Sequence, residues 1–339
     1  MVKSIKFKIG IIGCGLQGRR RAEALKQFDD VKLLAVTDID HQKAISLAQD
    51  MGCEAAADWK DMVTRKDLNI IAVCTPQNSH PAMCTTALKQ GKHVLCEKPL
   101  ARNPTEAEKI MKIVRKTGLK LDGGFNHRHH TAIKQAHDWL DQGIIGEPFS
   151  IRICYGIGGR PGFDKEWRAD PDIAGGGQLM DQGMHAIDLS RWFLGEFSEA
   201  VGFTSTSFWD MAPSEDNAFV LLRTAKAQVS SIHVSWTQWK NLFTLELNGH
   251  DGYISVEGLG GSYGVERAIL GKREFLKPFK EEIIEYRGAD RSWIEEWKEF
   301  FNAIREDREP LGNGNDGFQA VRLAYAVYES VRQGRVVKV

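Results

Sequence analysis

The sequence predicts an α/β protein of two domains, a parallel-sheet half followed by an α+β half. Three observations carry this. The chain has 339 residues, more than one ordinary hydrophobic core holds, since domains run about 100–200 residues. Roughly the first 120 residues alternate short apolar runs with helical segments. From Ala200 to about Phe279 the pattern becomes mostly β.

In the first half, Lys8–Ile12 is a short apolar run ending in glycine, and Leu16–Phe28 has helical spacing. Lys32–Thr37 is apolar and ends at Asp38; His41–Met51 is helical again. Asn69–Thr75 reads as a buried strand, Ser79–Gln90 as a helix with Ser79 as its cap. His93–Cys96 is a further apolar run, and a helix follows from about Pro104 to Lys116. Apolar runs of this length between helices mean βαβ units, whose strands read as continuous because helices cover both faces.

After about Leu121 the texture changes, and the domain boundary is placed between residues 122 and 123. Thr131–Gln142 reads as a helix and Pro148–Tyr155 as a strand. A long helix falls within Ile173–Phe193, after three glycines. Ile232, Val234 and Trp236 alternate with polar residues, as in a half-buried strand. Helices near Ser292–Ile304 and Gly317–Arg332 close the chain, with Trp293 and Trp297 spaced to face a core.

Charge excludes some functions. Lys+Arg and Asp+Glu are 45 each, so there is no net basic surface for nucleic acid or an anionic membrane. No apolar run approaches the roughly 18 residues of a membrane helix. Met1 to Gly18, with Lys3, Lys6 and Lys8 ahead of an apolar stretch, is a poor export signal, because glycines break the stretch and arginines follow. The six cysteines are scattered and none forms a Cys-x-x-Cys pair. A reduced, cytoplasmic protein is expected.

Gly13-Cys14-Gly15-Leu16-Gln17-Gly18 is a G-x-G-x-x-G with a strand before it and a helix after it. Gly13 allows the tight turn, Gly15 lets backbone approach a pyrophosphate, and Gly18 lets the helix pack close. The free N–H groups and dipole of the helix N-terminus then hold phosphates. Asp38 lies 20 residues after Gly18, the offset of a carboxylate that binds the adenine ribose. Asp38 and Asp40 would repel a 2′-phosphate, which favours NAD over NADP; Arg19, Arg20 and Arg21 leave NADP open. Thr75-Pro76 and Glu97-Lys98-Pro99 end two further strands, at the sheet edge where ligands bind. His80 is placed either to contact the cofactor's phosphates or to pack at a helix start.

Asp181 and His185 are spaced i, i+4 on the expected helix, with Asp188 continuing that face. Gly175-Gly176-Gly177 before them permits a close backbone approach, possible toward a nicotinamide edge. Oxidation of a secondary alcohol removes a proton from oxygen as hydride leaves carbon, work suited to an imidazole oriented by a carboxylate. Lys98 is suited to stabilising charge on the same oxygen.

These motifs, in this order, resemble the glucose–fructose oxidoreductase / inositol dehydrogenase / rhizopine-catabolism (Gfo/Idh/MocA) family over nearly the whole chain. The resemblance implies a Rossmann domain plus a domain with a large, mostly antiparallel sheet. It also implies NAD(P)-linked hydride transfer on sugars, inositols or nucleotide-sugars, and a homodimer or homotetramer through the exposed sheet face. Lys98, Asp181 and His185 become the catalytic trio, and Asn126 and Arg128 fall where the chain crosses into the second domain.

Gly156–Asp172 shows no clear element and carries Arg160, Lys165, Trp167 and Arg168. An aromatic ring with guanidinium groups suits a sugar bearing an anionic group; an interdomain or subunit-contact loop is the alternative. Tyr155 and Asn126 are further candidates for hydroxyl contacts. His127, His129 and His130 cannot all point one way, and no metal is expected. Trp209, Trp236 and Trp239 read as sheet packing or subunit interface. Two other functions remain open on the same fold: an NAD-dependent glycosidase working through transient oxidation, and a non-enzymatic NAD-binding sensor.

Overall fold

Six parallel strands come from the first apolar runs: β1 (Phe7–Ile12), β2 (Val31–Thr37), β3 (Glu54–Ala55), β4 (Ile70–Val73), β5 (His93–Cys96) and β6 (Leu121–Asp122). Their order in the sheet is 3-2-1-4-5-6, so the strand sequence reverses between β1 and β4, where open α/β sheets bind ligands. This computed structural model describes residues 6–339. Met1–Ile5, with Lys3 of the basic start, lie outside the described residues.

The intervening helices are α1 (Leu16–Leu25), α2 (His41–Met51), α3 (Trp59–Thr64), α4 (His80–Lys89) and α5 (Pro104–Thr117). Caps fix several ends. The Asp40 carboxylate accepts from Gln42 N–H, and Gly52, at φ 63°, stops α2. Asn103 accepts from Glu106 N–H ahead of Pro104 at the start of α5. Ser79 precedes α4 but makes no cap bond; its hydroxyl bonds the Pro76 carbonyl and the Thr75 hydroxyl instead.

This unit comprises residues 1–125 and 293–318. The late segment differs from the sequence division at 122/123, and packing explains why. Helix α9 (Ser292–Glu306) sends Trp297, Phe300 and Phe301 into the core that β1, β2 and α1 line with Phe7, Ile9, Ile11, Ala22 and Leu25. Phe301 stacks on Phe7 with centroids 4.8 Å apart. The opposite sheet face packs against α4 and α5 through Leu88, Ile110, Met111 and Val114. Burial of these apolar side chains on both faces dominates the stability of the layer.

The second unit comprises residues 126–292 and 319–339. Its nine-stranded sheet contains β7 (Pro148–Gly156), β8 (Phe197–Ser205), β9 (Asn217–Thr224), β10 (Val229–Ser235), β11 (Leu242–Gly249), β12 (Gly252–Glu257), β13 (Glu266–Lys272), β14 (Glu281–Tyr286) and β15 (Val337–Lys338), in the order 14-13-12-11-7-10-9-8-15. Every pair is antiparallel except β7 with β10. Residues such as Ile153, Val220, Leu222, Ile232, Val234, Leu245 and Leu247 are buried while their neighbours alternate outward. Helices α6 (Thr131–Asp141) and α8 (Gln182–Leu194) pack on this sheet, and α10 (Gly314–Gln333) contributes Val321, Ala324 and Val327 to buried positions.

The stretch 156–172 is more ordered than its sequence indicated. It folds into two 3₁₀ turns, Phe163–Lys165 and Trp167–Ala169, followed by α7 (Pro171–Ala174). Phe163 plugs it onto Trp236 and Met211 in a separate small core. Trp236 is fully buried there, Trp209 packs at its edge, and Trp239 stands fully exposed.

Candidate active site

The glycine-rich loop has the geometry its residue types require. Gly13 has φ +96°, and a Cβ on it would lie 2.5 Å from the Cys74 carbonyl oxygen. A Cβ on Gly18 would lie 1.9 Å from the Gly13 carbonyl oxygen. Gly15 is different: nothing stands within 4 Å of its Cβ direction. No side chain caps α1 at Gly15, and its first turn holds no acidic residue. Leu16 and Gln17 begin this helix, so its leading N–H groups remain available to an anion. Asp38 closes the loop by accepting from Cys14 N–H at 2.6 Å and from Asp40 N–H at 2.9 Å. Ile39, beside it, is fully exposed. An open glycine, uncapped donors and a ribose-height carboxylate fit a dinucleotide.

The three arginines after Gly18 are all engaged. Arg19 bonds Asp50 at 2.9 Å and Ser46 at 3.0 Å. Arg20 lies over the Trp293 ring. Arg21 is fully buried.

At the strand ends, Thr75 bonds Ser79, and Thr75, Pro76 and Lys98 are half-buried. His80 is buried, with Nε2 2.8 Å from the Thr75 carbonyl and Nδ1 3.0 Å from the Pro99 carbonyl. Its ring therefore sits between the two strand-end loops, and the neutral form donates its one N–H to one of these carbonyls. Burial pushes its pKa down, against the pull of both carbonyls. Glu97 turns its carboxylate inward, where Oε1 accepts from Arg21 Nε at 2.9 Å and lies 2.8 Å from Nη2.

In the second unit, α8 begins at Gln182, so Asp181 is the residue ahead of the helix, not part of its face. Its backbone is held by a turn, its N–H bonding the Gly177 and Gln178 carbonyls. His185 lies in the first turn of α8, buried, and stacks on His127 with centroids 3.7 Å apart. His127 Nε2 is 3.1 Å from the Tyr155 hydroxyl, and Nδ1 is 3.2 Å from Asn126 Oδ1. Asn126 Nδ2 donates to Ser292 Oγ at 2.9 Å. Tyr155 is buried, and burial pushes its pKa well up. A cleft of about 310 Å³ borders this cluster through Ser292 and His130.

Asp188 lies further along α8. It forms a buried fork with Arg128, Oδ2 to Nε at 2.8 Å and Oδ1 to Nη2 at 2.6 Å. Gly176 and Gly177 do press against neighbours, but these are Tyr328 and Glu215: Cβ atoms would fall 2.2 Å from the Tyr328 hydroxyl and 2.0 Å from the Glu215 carbonyl oxygen. Arg160 and Arg168 both bind Glu166, the latter at 3.1 Å. Arg168 stacks on Trp167 and places Nε 3.9 Å from Asp181 Oδ2.

Sequence reasoning missed two polar clusters. In the first unit, Arg21 also binds Glu296, whose charge acts on the buried carboxyl of Asp122. Burial pushes both carboxyls up, Glu296 to about 7. The signal was helical spacing: Gly18, Arg21, Ala22 and Leu25 share the inward face of α1. In the second unit, Glu215 accepts from Gly177 N–H at 3.1 Å, Leu179 N–H at 2.9 Å and the Tyr328 hydroxyl at 2.8 Å. A lone glutamate in Ser214-Glu215-Asp216 gives no sequence signal for this.

A dinucleotide-binding Rossmann unit joined to a unit with a nine-stranded, mostly antiparallel sheet defines the class as a two-domain nicotinamide oxidoreductase. Residues 7–125 match the family described as "Oxidoreductase family, NAD-binding Rossmann fold", and residues 133–255 match the GFO/IDH/MocA C-terminal domain. The chain belongs to the GFO/IDH/MocA oxidoreductase family. It is 28% identical over 341 residues to a myo-inositol 2-dehydrogenase of Thermotoga maritima, covering 98% of each. It is 33% identical over 197 residues to a dTDP-3,4-didehydro-2,6-dideoxy-alpha-D-glucose 3-reductase of Actinomadura kijaniata, covering 58% of each. In fold it is similar to a levoglucosan dehydrogenase in complex with NADH and L-sorbose, with a TM-score of 0.91, 22% identity and coverage of 98% and 99%.

Proposed function

We propose that this chain transfers hydride between NAD and a secondary hydroxyl or ketone of a neutral sugar or inositol. The observation that carries the reading is the buried His185 in the first turn of α8, stacked on His127 within a ring of hydroxyl and amide groups. Gly13, Gly15, Gly18 and Asp38 would hold the dinucleotide, with Thr75 and Pro76 at the neighbouring strand end. When bound, the nicotinamide supplies the hydride acceptor or donor. His185 exchanges the proton of the reacting hydroxyl, Asp181 orients the substrate beside it, and the Lys98 ammonium stabilises charge on the same oxygen. Asn126 and Tyr155 offer hydroxyl-binding groups.

Two features support the finer assignments. Arg19, Arg20 and Arg21 are all engaged, while the Asp38 carboxylate stands at the end of β2 beside the glycine loop, which supports NAD over NADP. Glu166 engages both Arg160 and Arg168, which supports an uncharged substrate over a sugar acid or nucleotide-sugar. We further read the protein as a cytoplasmic homodimer or homotetramer, supported by six free thiols and by exposed Phe203, Phe219 and Leu221 on β8 and β9.

Absorbance at 340 nm across a panel of inositols, neutral sugars and nucleotide-sugars, with NAD and NADP, tests the reading. NAD-linked turnover of a neutral polyol is expected. His185→Ala should lower that turnover about a hundredfold or more while the NAD Kd stays within about twofold. Silence across the panel despite tight NAD binding would overturn the proposal.

A further inference from the structure

The turn that carries Lys98 is gripped on three sides within the first unit. Gly124, at φ +72°, lies so close that a Cβ on it would sit 2.6 Å from the Cys96 carbonyl oxygen and 2.9 Å from Lys98 N. Asp122 Oδ1 holds Gly124 there by accepting its N–H at 2.9 Å. His80 Nδ1 lies 3.0 Å from the Pro99 carbonyl on the next residue. The third grip is the Arg21–Glu97 pair, in which two guanidinium nitrogens lie 2.9 and 2.8 Å from one carboxylate oxygen.

Arg21 is an unusual choice for that grip. It is completely buried, as is its second partner Glu296. Trp293 lies 4.6 Å from its guanidinium carbon, and Trp297 donates its indole N–H to the Arg21 carbonyl at 3.2 Å. Removing one arginine and three carboxyls from water is costly, and a well-packed apolar cluster of that volume would serve stability as well or better. The cluster does something apolar residues cannot: it fixes direction. Arg21 stands on α1, the helix whose uncapped first turn follows Gly15, and Glu97 immediately precedes Lys98.

We propose that Arg21 is a positioning residue for Lys98: through Glu97 it fixes the Lys98 turn relative to the phosphate-binding end of α1. Dinucleotide binding at the glycine loop thereby steadies the amine that serves the reacting oxygen. This rests on the role given above to Lys98, so the test separates the two.

The full chain and its Glu97→Gln, Lys98→Ala and double variants are compared. The first readout is amide hydrogen exchange of the peptide spanning 94–102, with and without NAD. In the parent, NAD slows exchange there; in Glu97→Gln, exchange is faster by about tenfold and NAD no longer slows it, while peptides of β1 and β2 are unchanged. The second is single-turnover absorbance at 340 nm with the neutral polyol oxidised fastest in the panel. Glu97→Gln slows the step about tenfold beside Lys98 and less than about twofold in the Lys98→Ala background. Equal slowing in both backgrounds, or exchange at 94–102 that matches the parent, overturns the inference. If Lys98→Ala keeps parental turnover, the assigned role of Lys98 fails, and the exchange readout alone decides whether Arg21 steadies the turn. Should Glu97→Gln not fold, Glu97→Asp shortens the reach, keeps the charge and is read in the same way.

Discussion

His185 lies face to face with His127, their planes 20° from parallel. His127 is itself fixed at both nitrogens, by Tyr155 and Asn126. One wall of the proposed proton-transfer group is therefore a ring with no freedom to rotate. His127→Ala removes that wall and leaves the first turn of α8 intact. Turnover should fall about tenfold to a hundredfold, since small misplacements of a reacting group cost that much. The NAD Kd, followed by protein fluorescence, should not change. Parental turnover in this variant would show that the stack is packing alone.

The three glycines of the loop make separable predictions. A Cβ at Gly18 meets the Gly13 carbonyl, whereas one at Gly15 meets nothing within 4 Å. Gly18→Ala should destabilise the fold by more than about 2 kcal/mol, a size typical of forced overpacking. Gly15→Ala should leave the melting temperature within a degree or two of the parent and still weaken NAD binding, because the methyl occupies the approach to the phosphates. Thermal melts with and without NAD distinguish these outcomes. Loss of stability in Gly15→Ala, or normal NAD binding by it, would contradict the assignment.

The contrast also shows what a sequence makes legible. The parallel sheet was readable because β1, β2, β4 and β5 each carry a short apolar run, with Ile9–Ile12, Ile70–Val73 and Val94–Cys96 buried throughout. The glycine loop was readable because Gly13 and Gly18 answer local steric needs while Gly15 leaves space open for a ligand. β3 and β6 are two residues each and leave no periodic trace. Asp181 reads as helical by spacing, and only the turn bonds to Gly177 and Gln178 place it outside α8. Trp293 and Trp297 announced a core-facing helix, but nothing local says which core. The Asp188–Arg128 pair and the hold of Glu166 on Arg160 and Arg168 left no trace in the sequence, because tertiary packing sets these partners.

The turn before α8 depends on Glu215. Burial pushes its carboxyl up even though two N–H groups and a hydroxyl donate to it. Tyr328→Phe deletes the hydroxyl alone and should cost about 1 kcal/mol, the net worth of one hydrogen bond. Gly177→Ala drives a methyl into the Glu215 backbone and should cost several times more, about 3 kcal/mol or above. Urea unfolding of the two variants checks the ratio. If both cost the same, Glu215 does not hold the turn in the way its bonds indicate.

The raised carboxyl of buried Glu296 gives the first unit a characteristic pH dependence. Burial raises Glu296 from its ordinary 4.5 to about 7 in the folded chain, while the unfolded chain keeps the ordinary value. Between those two values the folded state holds a proton that the unfolded state has lost. Stability then falls as pH rises through this window, is unaffected below it, and has lost its full share above it. Glu296→Gln cannot titrate. The difference in unfolding free energy between parent and variant should therefore shift against the parent by on the order of 1–3 kcal/mol from pH 4.5 to pH 8. Taking that difference cancels the other titrating groups, including His80, whose depressed pKa acts at the acid end. Denaturant unfolding at half-unit pH steps measures it. Parallel pH curves for the two proteins would mean that Asp122 and Glu296 are both ionised throughout, and that Arg21 alone balances three negative charges.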